Sequence, residues 1–238
     1  MASRTTDTTA FNLDLNQLIE ESFERCGKEL RSGYDLRTAR RSLNLLTIEW
    51  ANRGLNLWAI EQGSILLVAG TQDYNLPVDT IDLLDSVIRT SSGTSQTDIN
   101  ISRISVSTWA VIPNKNITGR PIQVWVQRLS GATNSLGSVV SPQIHVWPIP
   151  DATTTYTFVY WRLRRLQDAG NGVNGQDIPF RFLPAMVAGL AYNLSWKIPE
   201  AAAIRGDLKM EYEAQFALAA EEDREKAPVR FVPRIASV

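Results

Sequence analysis

The chain has 238 residues, of which 44% are hydrophobic and 21% are charged, and its formal net charge is −1. This composition is typical of a globular protein with a substantial core, and a net charge near zero argues against a globally basic surface for nucleic acid. One cysteine and one histidine, Cys26 and His145, exclude a disulfide within the chain and a Cys/His metal centre within one subunit. No stretch approaches the roughly 20 apolar residues of a membrane-spanning helix, and the N-terminus lacks the apolar run of a signal peptide. The sequence therefore predicts a protein made and folded in a cytoplasm.

The first helix is predicted over residues 14–30, because apolar side chains recur every three or four positions along one face. Asp14 is the expected N-cap, with Gln17 at the capping-box position three residues later. Cys26 falls on the apolar stripe, so it is interpreted as a buried small residue and not as a nucleophile.

A second helix is predicted over residues 35–53, and Gly54 follows its last turn at a position that requires a left-handed cap. Three arginines, Arg37, Arg40 and Arg41, lie mostly off its apolar stripe. Because the connection between the two helices is short, they are expected to form an antiparallel hairpin.

The pattern changes to short strands and turns from about residue 61 to residue 168. Residues 122–129, for example, alternate between two faces with a period of two. Such segments, separated by loops rich in Gly, Pro, Asn and Ser, indicate an antiparallel meander or sandwich. The strands recur too closely to leave room for crossover helices, so a parallel sheet is not expected.

The helical pattern returns after residue 176. The stretch FLPAMVAGLAYNLSWKI is apolar almost all round, which predicts a buried central helix with Pro184 in its first turn. Pro199 is expected to end this helix and to open the next one, which runs to about Lys226. The inward face of the last helix is predicted to hold Ile204, Leu208, Tyr212, Phe216 and Ala219, and its other face carries Glu211, Glu213, Glu221, Glu222, Asp223 and Glu225.

These patterns predict the α+β fold class, with a helical bundle built from the N- and C-terminal helices, an inserted antiparallel β meander or sandwich, and an extended C-terminal tail. The expected divisions are a helical hairpin over residues 1–60, a β domain over 61–168, helices over 176–226 and a tail over 227–238. The tail, APVRFVPRIASV, combines apolar residues with two arginines and two prolines, and the prolines favour an extended chain.

The stretch GNGVNG matches the dinucleotide-binding pattern at Gly170, Gly172 and Gly175. That mechanism needs the glycines in a tight turn that opens a helix within a parallel βαβ unit. Here polar residues and Pro179 intervene and the sheet is expected to be antiparallel, so the segment is interpreted as a flexible linker.

Two further groups of chemistry-bearing residues are interpreted as structural. Asp79, Asp82 and Asp85 are separated by apolar residues, a pattern of strand ends and turns rather than of an oxygen cage for a metal ion. His145 lies in a predicted strand beside Trp147, with no Ser or Cys placed to pair with it, so a packed histidine is favoured. The sequence therefore predicts no catalytic residue, no metal site and no enzyme activity.

The stretch YWRLRR interleaves aromatic residues with arginines at residues 160–165. Arg162 and Arg164 are expected on one face of a strand, and Arg165 on the other. Such a stretch could contact DNA phosphates and bases, or it could form a contact between subunits, where Trp, Tyr and Arg are enriched. The protein contact is the favoured interpretation.

Four stretches follow one another in a recognisable order over roughly residues 36–216. They are ARRSLNLLTIEWANRGLNLWAIEQG, then VAGTQDYNLPVDTIDLLDSVIR, then GRPIQVWVQR with IHVWPIPDATTTYTFVY, and finally FLPAMVAGLAYNLSWKIPEAAAIRGDLKMEYEAQF. They contain a Tyr-x-Leu-Pro turn, a Trp-Pro-x-Pro-Asp turn between paired strands, and a helix pair broken at Ile-Pro-Glu. Together they resemble the head-to-tail adaptor family of short-tailed phages, also called tail tubular protein A or head completion protein.

This resemblance implies a structural protein of the virion tail or neck, without enzyme activity and without a cofactor. Family members form a ring, usually of twelve subunits, beneath the portal protein of the filled head, and the helical bundle builds the ring wall. The ring extends the channel for double-stranded DNA, which passes without sequence recognition. It also presents a platform for the tail nozzle, tail tubular protein B, and in some phages for tail fibres. The resulting expectation is a homo-oligomeric ring with these partners and with no membrane.

Two sets of site residues are expected on this basis. The tail is expected to dock on the portal protein through Val229, Arg230, Phe231, Val232, Arg234 and Ile235, because pre-set proline dihedrals lower the ordering cost of binding. Repeated around a ring, the acids Glu221, Glu222, Asp223 and Glu225 are expected to face the channel, where like charge lets DNA slide without sticking. The alternatives are a tail folded back on its own subunit and an acidic helix face that is simply solvated.

Two other classes of protein are left as alternatives. Strands that carry Trp125, Trp147 and Trp161 suggest another phage tail component, a carbohydrate- or host-binding β module, which requires those rings to be exposed in a row. A wall hydrolase would need a pair of catalytic carboxylates, and the sequence offers no such constellation above background.

Overall fold

The computed structural model describes residues 13–54, 57–91, 93–129, 137, 140–170 and 175–223. The described residues divide into two compact units, one formed by those up to Leu57 together with those from Leu166 onward, and the other by Trp58–Arg165. The first unit, the helical unit, holds the long helices, and the second, the β unit, holds all of the described strands. The predicted α+β fold class is confirmed.

The helices are α1 (Leu15–Arg25), α2 (Gly33–Arg53), α3 (Val106–Ala110), α4 (Leu183–Ser195) and α5 (Arg205–Glu222). The strands are β1 (Ile60–Leu67), β2 (Asp73–Asn75), β3 (Thr80–Thr90), β4 (Thr97–Asn100), β5 (Ser102–Ile104), β6 (Gln123–Gln127), β7 (Gln143–Trp147) and β8 (Tyr156–Arg164).

Helix α1 begins at the predicted capping box. The Asp14 carboxylate accepts a hydrogen bond from the Gln17 backbone N–H at 2.8 Å, and the Gln17 side chain accepts one from the Asp14 N–H at 3.2 Å. The helix ends at Arg25, five residues before the predicted limit, because Gly27 turns the chain into the left-handed region with a φ of +74°. The predicted left-handed cap at the end of α2 is present, since Gly54 also has a φ of +74°.

Helix α4 is the buried centre of the helical unit, as its uniformly apolar sequence predicts. Helices α1, α2 and α5 all pack against it, and Pro184 lies in its first turn. A β-carbon built on Gly189 would lie only 2.8 Å from Cε2 of Tyr212, so the absence of a side chain at Gly189 lets α4 and α5 approach closely.

The last helix differs from its prediction at its start. Pro199 opens a 3₁₀ turn over Pro199–Ala202, and α5 itself begins only at Arg205. Four of the five residues predicted to face inward are buried, namely Leu208, Tyr212, Phe216 and Ala219. The prediction for Ile204 is wrong: it is 38% exposed, because it precedes the first turn of α5 and does not share the inward face of the helix.

The β unit contains two four-stranded sheets, with strand orders β1-β8-β3-β4 and β2-β7-β6-β5. All of the pairings are antiparallel except β5 with β6, which is parallel and only three residues long. One hydrophobic cluster draws buried residues from both sheets, including Ile88 and Phe158 from the first and Val124 and Ile144 from the second. The unit is therefore a sandwich, and its strand order rules out the simple meander that was the other predicted arrangement.

Candidate interaction surfaces

Arg162 lies on β8 and is nearly buried, with 8% of the residue exposed. Its Nη1 donates to Asp79 Oδ1 at 2.6 Å and to Thr80 Oγ1 at 3.0 Å, while Nη2 donates to Glu61 Oε2 at 2.7 Å. The hydrogen bond from Arg162 is the main reason that the pKa of the Asp79 carboxyl lies below its usual range. This guanidinium is thus held inside the β unit by two carboxylates.

The other two arginines of this stretch are placed differently. Arg164 Nε lies 2.9 Å from Glu61 Oε1 and its side chain is 13% exposed, so Arg162 and Arg164 share one face of β8, as predicted. Arg165 is exposed, and its Nη2 donates to the carbonyl oxygen of Val78 at 2.7 Å. Of the three arginines predicted to contact another subunit or DNA, Arg165 is the one with an exposed side chain. The expectation for Arg162 is corrected, because acids distant in sequence neutralise its charge.

The acids predicted to line a channel lie at the C-terminal end of α5, where Glu221 and Glu222 are exposed. Asp223 departs from the prediction. It is 4% exposed and its carboxylate forms an ion pair with Arg181, so its charge faces the interior of the helical unit. Glu225 lies outside the described residues, as do the six tail residues predicted to dock on the portal protein, Val229, Arg230, Phe231, Val232, Arg234 and Ile235.

His145 is packed, as predicted, within a stack of aromatic rings in the β unit. The centroid of its ring lies 4.5 Å from that of Trp125, at an interplanar angle of 19°. The ring centroid of Trp109 lies 5.8 Å from that of Trp125. The Nδ1 atom of His145 is 2.6 Å from Asp73 Oδ1, and the Nε2 atom is 2.9 Å from Gln127 Oε1. Both ring nitrogens are therefore engaged by side chains of the same sheet.

The tryptophans do not form the exposed row that a carbohydrate-binding module requires. Trp125 and Trp147 lie on β6 and β7, whereas Trp161 lies on β8 of the other sheet, and all three are half-buried. The indole N–H of Trp147 donates to the Asn114 carbonyl oxygen at 3.0 Å. These rings are mainly packing elements of the sandwich.

The two aspartates of β3, Asp82 and Asp85, have different hydrogen-bond or ion-pair partners. The two oxygens of Asp82 pair with Arg103 at 2.8 Å and with Arg128 at 2.6 Å. Asp85 Oδ1 accepts a hydrogen bond from the Ser86 N–H at 2.7 Å. Within the described ranges, no group of three or more His, Cys, Asp or Glu side chains is arranged to hold a metal ion.

The glycine pattern lies in an antiparallel context. Strand β8, which precedes it, runs antiparallel to both of its neighbours, and Gly175 forms an isolated antiparallel bridge with Asp14. Gly172 lies outside the described residues. The one parallel pair among the described strands, β5 with β6, is joined through the short helix α3 and lies earlier in the chain. The glycines therefore do not open a helix within a parallel βαβ unit, as dinucleotide binding requires.

Helix α2 carries a basic surface that the sequence analysis did not single out as a site. A cleft of about 550 Å³ is lined by Tyr34, Arg37, Arg40, Arg41 and Asn44. In the described part of the chain, none of these three arginines takes part in an ion pair. The signal in the sequence was their position off the apolar stripe, but sequence alone could not show that they form no ion pair with a described acid.

The described residues define a class of protein: a two-unit α+β protein whose helices expose apolar side chains, such as Leu45 on α2 and Leu218 on α5, beside charged ones. The family model described as SU10 adaptor protein matches residues 14–233, which covers most of the chain. The chain therefore belongs to the SU10 adaptor protein family, a family of structural adaptor proteins of bacteriophages. The comparison with curated proteins found no match.

Family membership places the protein in the virion, in association with other virion components. It confirms the predicted phage adaptor resemblance at the level of the family. None of the helices in the described residues is both long and apolar enough to span a lipid bilayer.

Proposed function

We propose that the chain is the head-to-tail adaptor of a short-tailed phage. Its subunits assemble into a ring of twelve that joins the portal protein to the tail nozzle and extends the DNA channel. The observation that carries the proposal is the adaptor family match over residues 14–233, which includes described residues of both units. The order of the four sequence stretches supports the narrower assignment to the head-to-tail type.

The contacts that a closed ring requires support a role for the helical unit in the ring wall. Identical subunits in a closed ring meet through heterologous contacts, so each subunit needs two different faces. The helical unit offers exposed faces on both α2 and α5, which supports a role for this unit in the ring wall. Of the acids expected along the channel, Glu221, Glu222 and Glu225 stay candidates after the burial of Asp223.

The tail over residues 227–238 is proposed to dock on the portal protein. Its four apolar side chains at Val229, Phe231, Val232 and Ile235 suit grooves on a partner, and its arginines suit carboxylates there. The two prolines restrict the unbound chain and so reduce the entropy lost on docking. A ring between the portal protein and the tail nozzle would also be placed where tail fibres can attach, so the proposal includes that role.

Electron microscopy of the purified full-length chain, alone and mixed with portal rings from the same phage, tests the proposal. The expected result is a second ring stacked on one end of the portal ring. A chain truncated after Lys226 keeps all of the described residues, and we expect it to lose this association while its helical circular dichroism is unchanged.

The outcomes separate the parts of the proposal. Stacked rings with both chains would keep the adaptor function and remove the docking role of the tail. No association with portal rings at any salt concentration would overturn the adaptor function and favour another phage tail component, which a glycan array would then examine.

A further inference from the structure

The outer face of α2 carries a stripe of exposed side chains opposite to its core. The core side of the helix holds Ala39, Leu43, Leu46 and Trp50. The α2 stripe, as it is called here, consists of Tyr34, Arg37, Arg41, Leu45 and Ile48, which follow one another at spacings of three or four residues. Its apolar members are well exposed: Leu45 is 65% exposed and Ile48 is 57% exposed.

The α2 stripe is positively charged through Arg37 and Arg41. Neither Arg37 nor Arg41 forms an ion pair with a described acid, and Arg40 lies beside them in the cleft. Lys197 adds a further positive charge nearby. Its Nζ donates to Ser42 Oγ at 2.6 Å, and its pKa is lowered by burial and, to a lesser degree, by the charge of Arg41. A basic field beside exposed apolar side chains is suited to an acidic and apolar partner.

The outer face of α5 carries a stripe of the opposite charge. The α5 stripe consists of Asp207, Met210, Ala214, Ala217, Leu218, Glu221 and Glu222, all of them exposed. Most of these residues lie opposite to the buried Leu208, Tyr212 and Phe216, and Glu222 lies on the flank of the stripe. Met210 is 67% exposed and Leu218 is 63% exposed. The stripe contains three carboxylates and no basic residue, and Ala214 and Ala217 leave room for another helix to approach closely.

The two stripes match in length and in the order of their side chains. The α2 stripe from Arg37 to Ile48 and the α5 stripe from Met210 to Glu221 each span about 16 Å at 1.5 Å per residue. In an antiparallel alignment, the arginines at the N-terminal end of α2 meet the carboxylates at the C-terminal end of α5. The same alignment brings Leu45 and Ile48 onto the apolar part of the α5 stripe. A parallel alignment would leave only Asp207 near the arginines.

We infer that the α2 stripe of one copy packs antiparallel against the α5 stripe of the next copy. The inference rests on the proposed ring and names the surfaces that build it. Each copy offers one stripe to each neighbour, so the contact is heterologous and propagates until the ring closes. It assigns Glu221 and Glu222 to the contact between copies and removes them from the channel wall.

A second copy suits the α2 stripe better than DNA does. Arginines attract phosphates as well as carboxylates, but Leu45 and Ile48 gain little against a phosphate backbone. A helix with its own apolar side chains buries them, and interfaces gain much of their stability from such burial. The α5 stripe would repel DNA and would have no partner in a complex with it, whereas the pairing of copies covers both stripes.

Three variants of the full-length chain test the pairing. The first variant is Arg37→Glu with Arg41→Glu, and the second is Glu221→Lys with Glu222→Lys. The control is Glu20→Lys with Glu24→Lys, two exposed positions on α1 that change the charge by the same amount as the second variant. Self-association is measured by sedimentation velocity over a range of concentrations and by electron microscopy, with and without portal rings as a template. Circular dichroism and urea unfolding show whether each variant is folded.

We expect the first and second variants each to lose ring formation, with self-association at least tenfold weaker than in the wild type, while the control assembles normally. An equimolar mixture of the two variants is expected to restore rings. When the two variants alternate around the ring, every contact joins opposite charges again. The acidic α5 stripe of the first variant meets the unchanged basic α2 stripe of the second. The α5 stripe of the second variant, now basic, meets the α2 stripe of the first, which is now acidic.

Each other result overturns the pairing. Folded variants that assemble like the wild type, or a mixture that fails to restore rings, would show that the two stripes do not meet. If the first variant assembles normally but no longer binds a DNA duplex in a mobility-shift assay, the α2 stripe contacts DNA instead. If wild-type rings stack on the portal ring while either of these results is found, the pairing of the stripes is overturned and the proposed adaptor function is kept. A wild-type chain that stays monomeric under all conditions, including with portal rings, would overturn both proposals.

Discussion

The indole N–H of Trp50 donates a hydrogen bond of 2.9 Å to the hydroxyl of Tyr212, and that hydroxyl donates to Glu49 Oε1 at 3.0 Å. Trp50 is 1% exposed and Tyr212 is 2% exposed, so this link between α2 and α5 is buried. Burial raises the pKa of the Tyr212 hydroxyl, which therefore keeps its proton and its role as a donor. The N-terminal and C-terminal segments of the helical unit are joined at this point.

Replacing Tyr212 by Phe removes the shared hydroxyl and leaves the buried Trp50 N–H without an acceptor. We expect the free energy of unfolding to fall by about 1–2 kcal/mol, the cost of a buried donor without a partner. Urea unfolding followed by helical circular dichroism measures the change. The control is Tyr34→Phe at a residue that is 65% exposed, where the change should stay within about 0.5 kcal/mol. Equal effects of the two substitutions would contradict the role of the buried hydroxyl.

Gly189 is expected to be required for the packing of α4. A methyl group on Gly189 would lie 2.8 Å from Cε2 of Tyr212 and 3.1 Å from Cδ1 of Leu46. We predict that Gly189→Ala lowers the free energy of unfolding by about 1–3 kcal/mol through overpacking, although alanine favours a helix more than glycine does.

Gly206 in α5 provides the matched control, because a methyl group there would meet no atom within 4 Å. Gly206→Ala should leave stability unchanged or raise it by up to about 1 kcal/mol. A loss of stability from Gly206→Ala equal to that from Gly189→Ala would mean that the close approach of α4 and α5 is not the cause.

Cys26 provides a probe of the integrity of the helical unit. The residue is 1% exposed, its Sγ lies 3.2 Å from the Ala191 carbonyl oxygen, and burial raises the pKa of its thiol to about 11. Since each pKa unit is a tenfold change in thiolate, the folded chain at pH 8 should react with a thiol reagent roughly 100-fold more slowly than the chain in urea. It is the one cysteine of the chain, so the signal on unfolding should reach one equivalent. Rapid reaction of the folded chain would show that the α1–α4 contact opens readily.

Local signals in the sequence were sufficient for most of the helical unit. The capping box at Asp14 and the left-handed cap at Gly54 depend on residues within three or four positions, so a single sequence contains them. The early end of α1 had a local signal too, since Gly27 follows Cys26 where a left-handed cap ends a helix. That signal was outweighed by the apolar spacing, which continues to Leu30.

Charges whose partners are distant in the sequence could not be predicted. Arg162 is separated from Glu61 by 101 residues and from Asp79 by 83, and only the register of β8 with β1 and β3 brings them together. Asp223 and Arg181 are likewise 42 residues apart. In both cases the local sequence shows no opposite charge near the residue, which therefore looks solvent-exposed, whereas the fold brings a partner of opposite charge beside it.

Arg162 is expected to stabilise the β unit through its two carboxylate partners. Its side chain is 10% exposed, while those of Asp79 and Glu61 are nearly half exposed and can be rehydrated. We therefore predict that Arg162→Met lowers the free energy of unfolding by about 2 kcal/mol, less than the loss of a fully buried ion pair. Arg103→Met removes a more exposed arginine from Asp82 and should cost about 0–1 kcal/mol. Urea unfolding compares the two variants, and a larger loss for Arg103→Met would contradict the prediction.

The contribution of the Arg162–Asp79 pair should depend on pH in a defined direction. The hydrogen bond from Arg162 holds the pKa of Asp79 in the folded chain below its value in the unfolded chain, which is about 3.9. A group with a lowered folded pKa contributes its full stability above the unfolded pKa and loses it as the pH falls through the folded pKa. The difference in unfolding free energy between the wild type and Arg162→Met should therefore be constant from about pH 7 to pH 5 and should narrow below about pH 4. A difference that stays the same down to pH 3 would contradict the prediction. It would show that protonation of Asp79 does not change the stabilisation by Arg162, so that Arg162 stabilises the fold by packing alone.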